Sequence, residues 1–565
     1  MDQTPVAELI LDYLEAEGVS TVFGIPGGPV TPLFDALRRR PSLLTVAPRH
    51  ESGAAFMACG YARLSGKPGV AVLTTGPGAT NALTAVCAAR ADSLPLLVIT
   101  AQSATSDFGK GSLQDSTYDG IDTVSIFRPV CKLSLMPASA GRVAALLRQA
   151  LRAATSGRPG PVHLSLPTDL MKRRVDRELL APSSYRPAAR PFDREAVRSA
   201  CLALAQSSRP AILAGHGVNL AGAQPELREL AELLSAPVAT TPKGKGAFDE
   251  RHALALGVFG LASAPRAEDY LLGGRADALL VLGSSLHEMS TQGWDPRLRP
   301  RGPMIQADID PAVLGRNYPV DIALVGELKA TVTELLFALK RLRAAGALSP
   351  KLRPVLRTEP AGDEGRGQDG PVHPRRLLEE LSQAAREDAV FCLDVGSHAL
   401  FALRHLKASG RSLFLNNWGS FAAMGYSVAG AVGAKLAAPE RQVIAVVGDG
   451  GFGMAGMEVS AAVTYGVPVV WVVFNDARYN AVHHGQRLQY GGTHAVDFHR
   501  IDAAAVARGL GARGFSVGRA GELGQALRRA LDCGEPAVVD VLIDAEAAPP
   551  IMSRVRSLEA SFAAR

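Results

Sequence analysis

Residues 443–476 read VIAVVGDGGFGMAGMEVSAAVTYGVPVVWVVFND, and this pattern decides the fold. A short apolar run ends in Gly448-Asp449-Gly450, a helical stretch follows, Pro468 closes it, and a second apolar run ends in Asn475-Asp476. Continuous Val/Ile-rich runs separated by a helix indicate parallel strands buried on both faces. A right-handed crossover returns the chain to the same edge of the sheet. Asp449 and Asp476, 27 residues apart, then emerge at the carboxyl ends of neighbouring strands, where open α/β sheets bind ligands. Two hard oxygen ligands there suit Mg²⁺, which keeps most of its octahedron for water and phosphate oxygens. Gly448, Gly450, Gly451 and Gly453 let the backbone come close, and the next helix start offers free N–H groups to a diphosphate. A Gly-rich turn with an aspartate cap is the plain alternative. The second aspartate at this spacing favours a diphosphate–metal site.

The same unit occurs earlier. Residues 70–102, VAVLTTGPGATNALTAVCAARADSLPLLVITAQ, run strand, Gly-Pro-Gly turn, helix, Pro95, strand. Pro95 follows Gly76 by 19 residues and Pro468 follows Gly448 by 20, which points to a duplicated αβ domain with diverged turns. Further apolar runs (PVHLSL, PAILAG, ALLVLGS, AVFCLDV, PAVVDVLID) alternate with helical patterns throughout. The expected architecture is α/β, three doubly wound parallel-sheet domains. Stretches 174–193 and 346–372 are rich in Pro, Arg and Gly without periodicity, and read as linkers. They divide the chain into 1–175, 190–345 and 370–550.

Composition narrows the function classes. The chain has 565 residues, 47% hydrophobic and 20% charged, with a net charge of only +6, an ordinary globular balance. No block of like charges suggests nucleic acid, and no apolar run reaches the length of a membrane span. The six cysteines form no CxxC or Cys/His cluster, so neither a disulfide framework nor a structural zinc site is expected. The N-terminus reads as an acidic amphipathic helix, not a signal peptide, and a cytoplasmic protein is expected. The surplus is glycine, 57 residues, which suits close backbone approach to ligands at many strand-to-helix turns. No G-x-G-x-x-G with a following acidic residue supports a nicotinamide oxidoreductase.

The stretch from Val446 to Asp476 resembles the thiamine diphosphate motif, GDG followed by Asn some 25–30 residues on. The order of segments resembles the acetolactate synthase and 2-oxo acid decarboxylase family: pyrimidine-binding, central and diphosphate-binding domains. VFGIPGGPVTPLFDAL, APRHESGAAFMACGYAR, PKGKGAFDERHALALGVFG, ADIDPAVLGRNYPVDIALVGE, LDVGSHALF and AAMGYSVAGAVGAKLA carry it across nearly the whole chain. The resemblance implies thiamine diphosphate and Mg²⁺ as cofactors. Glu51 falls at the cofactor-activating glutamate, whose carboxyl would hydrogen-bond the pyrimidine, a task suited to a buried group with a raised pKa. Met424 matches the residue that bends the cofactor, Ala422 the carbonyl to the aminopyrimidine, and Ser397 and His398 residues near the diphosphate. Gly448, Asp449, Gly450 and Gly451 match the diphosphate turn. The metal ligands implied are Asp449, Asp476 and the backbone carbonyl of Arg478, with Asp476 where the family more often has Asn. Gly27, Gly28 and Gln114 match pocket positions.

The implied activity is decarboxylation of a 2-oxo acid, pyruvate favoured, with transfer of the acyl carbanion to a carbonyl acceptor. A non-ligating decarboxylase or an acyloin (benzaldehyde-type) lyase is the alternative. Such sites form between subunits, so a homodimer or homotetramer is expected. Substrate-choosing positions depart from acetolactate synthase. Met289 stands where an arginine of an RFDDR-like stretch is found, and Gly485 where a tryptophan shapes the acceptor pocket. His483 and His484 stand beside it, as acid–base groups or as polar surface. GHGVN at 215–219 and the KGKGAF loop leave a central-domain nucleotide open, FAD included, although the absent RFDDR stretch counts against FAD.

Overall fold

The computed structural model describes residues 3–186, 190–352, 354, 356, 369–551 and 555; most of the expected second linker from 353 onward lies outside them. The first domain carries β2 (Thr21–Gly24), β3 (Leu44–Val46), β4 (Gly69–Leu73), β5 (Leu96–Gln102), β6 (Leu133–Leu135) and β7 (Val162–Pro167), all parallel, in the order β3-β2-β4-β5-β7-β6. β1 (Gln3–Pro5) pairs antiparallel with β8 (Arg174–Asp176). The segment read as a first linker therefore begins by folding back onto the N-terminus.

The central domain holds β9 (Pro210–Ala214), β10 (Val238–Thr240), β11 (Ala255–Val258), β12 (Ala278–Leu282), β13 (Met304–Asp308) and β14 (Ile322–Val325), ordered β11-β10-β9-β12-β13-β14. This order reverses direction between β9 and β12, the crevice where doubly wound sheets bind ligands. The third domain holds β15 (Val390–Leu393), β16 (Leu413–Asn416), β17 (Val443–Gly448), β18 (Val469–Asn475), β19 (Arg513–Val517) and β20 (Ala537–Leu542), ordered β16-β15-β17-β18-β20-β19. From one edge, the first and third sheets both run second, first, third, fourth, sixth and fifth strand of their domain. The pairs β4/β5 and β17/β18 are thus topological equivalents, as the shared sequence unit requires. The central sheet has a different order.

One apolar core joins the two matching domains. Phe23, Ala71 and Val98 belong to the same buried cluster as Ala445, Val447 and Trp471. The contact runs through helices Glu51–Ser65 and Tyr426–Ala437. Small residues let their backbones touch: a Cβ on Gly60 would run into the Gly430 carbonyl, and one on Gly433 into the Met57 carbonyl. Phe56 packs edge-on against Tyr426 at 5.4 Å. At the three-domain junction, buried Asp92 pairs with Arg63 and accepts from Lys243 Nζ at 2.6 Å, while Arg63 donates to the Asn416 carbonyl at 2.7 Å. No helix among the described residues is long and apolar enough to cross a membrane.

Candidate active site

The third-domain part of the site forms where β17 and β18 end. Gly448 ends β17 and Asp449 opens helix Asp449–Ala455. The Asp449 carboxylate accepts the N–H groups of Gly450 at 2.7 Å, Asp476 at 3.1 Å and Ala477 at 2.7 Å, stitching the two strand ends together. Asp476 accepts from Asn480 Nδ2 at 2.6 Å. Burial pushes both carboxyl groups above the usual carboxylate range, and the Asp449 charge raises Asp476 further. Two adjacent, partly desolvated carboxylates make a site whose charge a divalent cation offsets. Among the described residues, no group of three or more His, Cys, Asp and Glu side chains comes together as a metal cluster. The expected set of two carboxylates and the Arg478 carbonyl is of a different kind.

A cavity of about 200 Å³ opens beside these aspartates, lined by Ser397, His398, Met424, Gly448, Gly450, Gly451, Tyr479 and Asn480 among others. Its floor is bare backbone. A Cβ on Gly450 would stand 2.7 Å from the Tyr479 ring, and one on Gly448 2.9 Å from His398 Nδ1. His398 is buried, its Nε2 has no hydrogen-bond partner, and burial pushes its pKa down to about 3, so the ring is neutral. The glycine floor and the paired carboxylates together fit a diphosphate with its cation.

The loop carrying Met424 is held from below. Asp394, at the end of β15, accepts from Gly425 N–H at 2.9 Å and Ser427 N–H at 3.2 Å, capping helix Tyr426–Ala437. Asn417 Nδ2 donates to the Ala423 carbonyl at 2.6 Å. Ala422 has φ 56°, a left-handed conformation that a non-glycine residue adopts at a cost. It lines the larger cavity described below, while Met424 lines the smaller one.

The first-domain part gathers at the equivalent strand ends. Glu51, half-buried, opens helix Glu51–Ser65 and its Oε2 accepts from Asn81 Nδ2 at 2.9 Å. Gly78 lies close by: a Cβ there would run into Thr74 Cγ2 at 2.6 Å and would stand in ordinary contact, 3.5 Å, with Glu51 Oε1. Gln114, exposed and at φ 58°, lies over Gly76, and its carbonyl accepts from Thr75 Oγ1 at 3.0 Å. Gly28 is exposed with open space around it. None of these residues lines the cavity beside Asp449, so one chain does not bring Glu51 and the paired aspartates into a common pocket.

His483 and His484 lie buried on helix Asn480–Tyr490. His483 Nε2 is 3.3 Å from Arg478 Nη1 and His484 Nε2 is 3.3 Å from the Ala545 carbonyl; neither lines the cavity. A larger cavity of about 660 Å³ opens at the β9/β12 switch point, with Met289, Lys243, Asp308 and Trp418 on its walls. Sequence reasoning did not single out Asp394, Tyr479 or Asn480. Asp394 was within reach, since it ends an apolar run as Asp449 does, and Asn480 lies four residues beyond Asp476, at the start of the next helix.

Three family models match the chain in order: the N-terminal TPP binding domain of thiamine pyrophosphate enzymes at residues 4–125, the central domain at 197–335 and the C-terminal TPP binding domain at 394–541. A probable acetolactate synthase large subunit of Methanocaldococcus jannaschii is 34% identical over 96% of this chain and 93% of its own length. An acetolactate synthase of Mycobacterium bovis is 33% identical over 97% and 89%. An acetolactate synthase large subunit of Corynebacterium glutamicum is 32% identical over 96% and 87%. With three family models in order and these relatives along nearly its whole length, the chain belongs to the thiamine pyrophosphate-dependent enzymes, in the acetolactate synthase family.

Proposed function

We propose that this cytoplasmic enzyme decarboxylates a 2-oxo acid, pyruvate favoured, and transfers the acyl unit to a second carbonyl compound. Asp449, Asp476 and the Arg478 carbonyl would hold Mg²⁺, and Gly448, Gly450, Gly451, Ser397 and His398 the diphosphate. The observation that carries this reading is the Asp449–Asp476 pair at adjoining strand ends beside a glycine-floored cavity. When bound, thiamine diphosphate supplies the electron sink for the acyl carbanion. The chain's own groups bind, orient and move protons around it. Glu51 would donate a hydrogen bond to the pyrimidine ring and exchange a proton with it. Met424 would support the bent shape, the Ala422 carbonyl would accept from the aminopyrimidine, and the neutral His398 would donate to a diphosphate oxygen.

A second copy of this chain would complete the site. Leu113, Tyr118 and Ile121 are strongly exposed beside Gln114, and Met454, Met457 and Val482 beside the Asp449 helix. Apolar side chains clustered at the edges of two separated half-sites are what a subunit interface covers. A homodimer satisfies this geometry, and a homotetramer would be a pair of such dimers.

Met289 on the wall of the larger cavity and the open space around Gly485 favour, as a second reading, an acyloin lyase or plain decarboxylase with a different acceptor. Incubation with pyruvate alone and with pyruvate plus an aldehyde separates the readings: acetolactate supports the first, free aldehyde or a mixed acyloin the second. The larger cavity has the size of a nucleotide site, and the purified protein's visible spectrum tests for FAD. Heat stabilisation by thiamine diphosphate with Mg²⁺ is required throughout; no shift with both ligands sinks the proposal.

A further inference from the structure

Glu458 lines neither cavity, yet it is 2% exposed and its carboxylate reaches out of its own domain. It sits on the single turn Gly456–Glu458 that follows helix Asp449–Ala455. Its Oε1 accepts the N–H of His50 at 2.9 Å and its Oε2 that of Arg49 at 3.0 Å. These residues immediately precede Glu51, at the entry to helix Glu51–Ser65, where backbone donors have no partner within the helix. A carboxylate there also meets the positive end of the helix dipole. Gly53 makes the approach feasible, because a Cβ on it would run into the Glu458 carboxylate.

The same third-domain segment supplies three more ties. Ala47 N–H donates to Tyr465 Oη at 2.8 Å, and the Arg49 guanidinium donates to Ser460 Oγ and Thr464 Oγ1, both at 2.9 Å. Burial pushes the Glu458 carboxyl up to about 7, against the pull of the Arg49 and His50 N–H groups and the Arg49 charge. A carboxyl buried at such a cost and spent on two backbone donors fixes a piece of chain; it is not a spare polar group.

We propose that Glu458 is a positioning residue for Glu51, clamping the Arg49–His50 backbone from which Glu51 is presented to the cofactor. The inference rests on the reading of Glu51 given above. Misplacing a reacting group by about 1 Å can cost roughly a hundredfold in rate, so the clamp would act on turnover and not on cofactor affinity.

The test uses the full-length protein. Without cofactor, Glu458→Gln is expected to speed amide hydrogen exchange at residues 49–54 and leave the rest of the first domain unchanged. Loaded with thiamine diphosphate and Mg²⁺, it should lose roughly ten- to a hundredfold in kcat for CO₂ release from pyruvate, with KM and the cofactor-induced thermal shift unchanged. Glu458→Asp, which keeps the charge, should recover part of the loss, and is read in the same way if Glu458→Gln does not fold. The Glu51→Gln/Glu458→Gln double variant should be no slower than Glu51→Gln alone, because both changes act through one group. Unaltered exchange at 49–54, or losses that multiply in the double variant, would overturn the proposal. Wild-type turnover in Glu51→Gln instead overturns the reading of Glu51, and this proposal with it.

Discussion

The turn after β4 and the turn after β17 occupy the same place in sheets of identical strand order, yet they do different work. At Gly76-Pro77-Gly78 the chain turns through φ 61° and stands next to Glu51 and Gln114. At Gly448-Asp449-Gly450 the first glycine is extended, with φ −90°, and the aspartate spans to the next strand. One residue of the triplet therefore separates the two: proline removes a donor and fixes φ, whereas aspartate brings a charge to the ligand-binding end of the sheet. A duplicated fold thus supplies two similar crevices with different turn chemistry, and under the proposed function the aspartate turn would face the diphosphate and the proline turn the other end of the same cofactor. The central sheet, ordered differently, keeps a crevice of its own at the reversal point.

The sharpest way to break this comparison is to disable each half in turn. Glu51→Gln is expected to lower kcat by roughly 10²–10⁴, the range for loss of a positioned proton-transfer group. It should retain the thermal stabilisation by thiamine diphosphate and Mg²⁺. Asp449→Ala should lose that stabilisation altogether, which amounts to about 2.7 kcal/mol when the ligand stands at 100 times its Kd. Calorimetry of both variants, with and without the ligands, checks the pair. A cofactor shift that survives Asp449→Ala, or vanishes in Glu51→Gln, would mean the division of labour is wrongly drawn.

Glu458 joins the two halves within one chain and adds a pH-dependent effect on stability that needs no ligand. Its carboxyl is raised from 4.5 to about 7 in the folded protein, so ionisation opposes folding. The stabilising contribution is therefore full below pH 4.5 and is lost as pH rises through about 7. At 1.36 kcal/mol per unit, the loss is about 3 kcal/mol. The stability of the wild type minus that of Glu458→Gln should fall by this order across the window, as measured by denaturant unfolding at several pH values. A difference flat in pH would show that the group is ionised without penalty.

Much of this was legible in the chain. The alternation of Val-rich runs with helices, and the spacing of Gly448, Pro468 and Asp476, indicated the parallel sheets, and the match of Gly76/Pro95 to Gly448/Pro468 anticipated the shared strand order. The pairing of β1 with β8 was not legible: two three-residue strands at opposite ends of a domain carry no periodic signal. Nor was the burial of His483 and His484, because a His-His pair on a helix reads alike whether it faces a pocket or packs against Arg478 and Ala545. Glu458 was hidden for a related reason. A lone glutamate after a Gly/Met-rich turn looks like a helix-start residue, and only the meeting of two distant domains shows the backbone it serves.

The smallest predicted effect separates the two turns by the reason each needs glycine. Gly76 combines φ 61° with ψ −121°, where a Cβ is strained whatever the surroundings. Gly76→Ala should therefore cost about 1–2 kcal/mol of stability even without ligands. Gly448 is extended and has no such backbone requirement. A methyl there would instead approach His398 Nδ1 at 2.9 Å, tight enough that the imidazole must shift, so Gly448→Ala should weaken cofactor binding more than it lowers the unliganded melting temperature. Melting curves of both variants, with and without thiamine diphosphate and Mg²⁺, resolve the two effects. Equal losses in the unliganded protein would mean that the turns are not specialised in this way, and that packing alone accounts for both glycines.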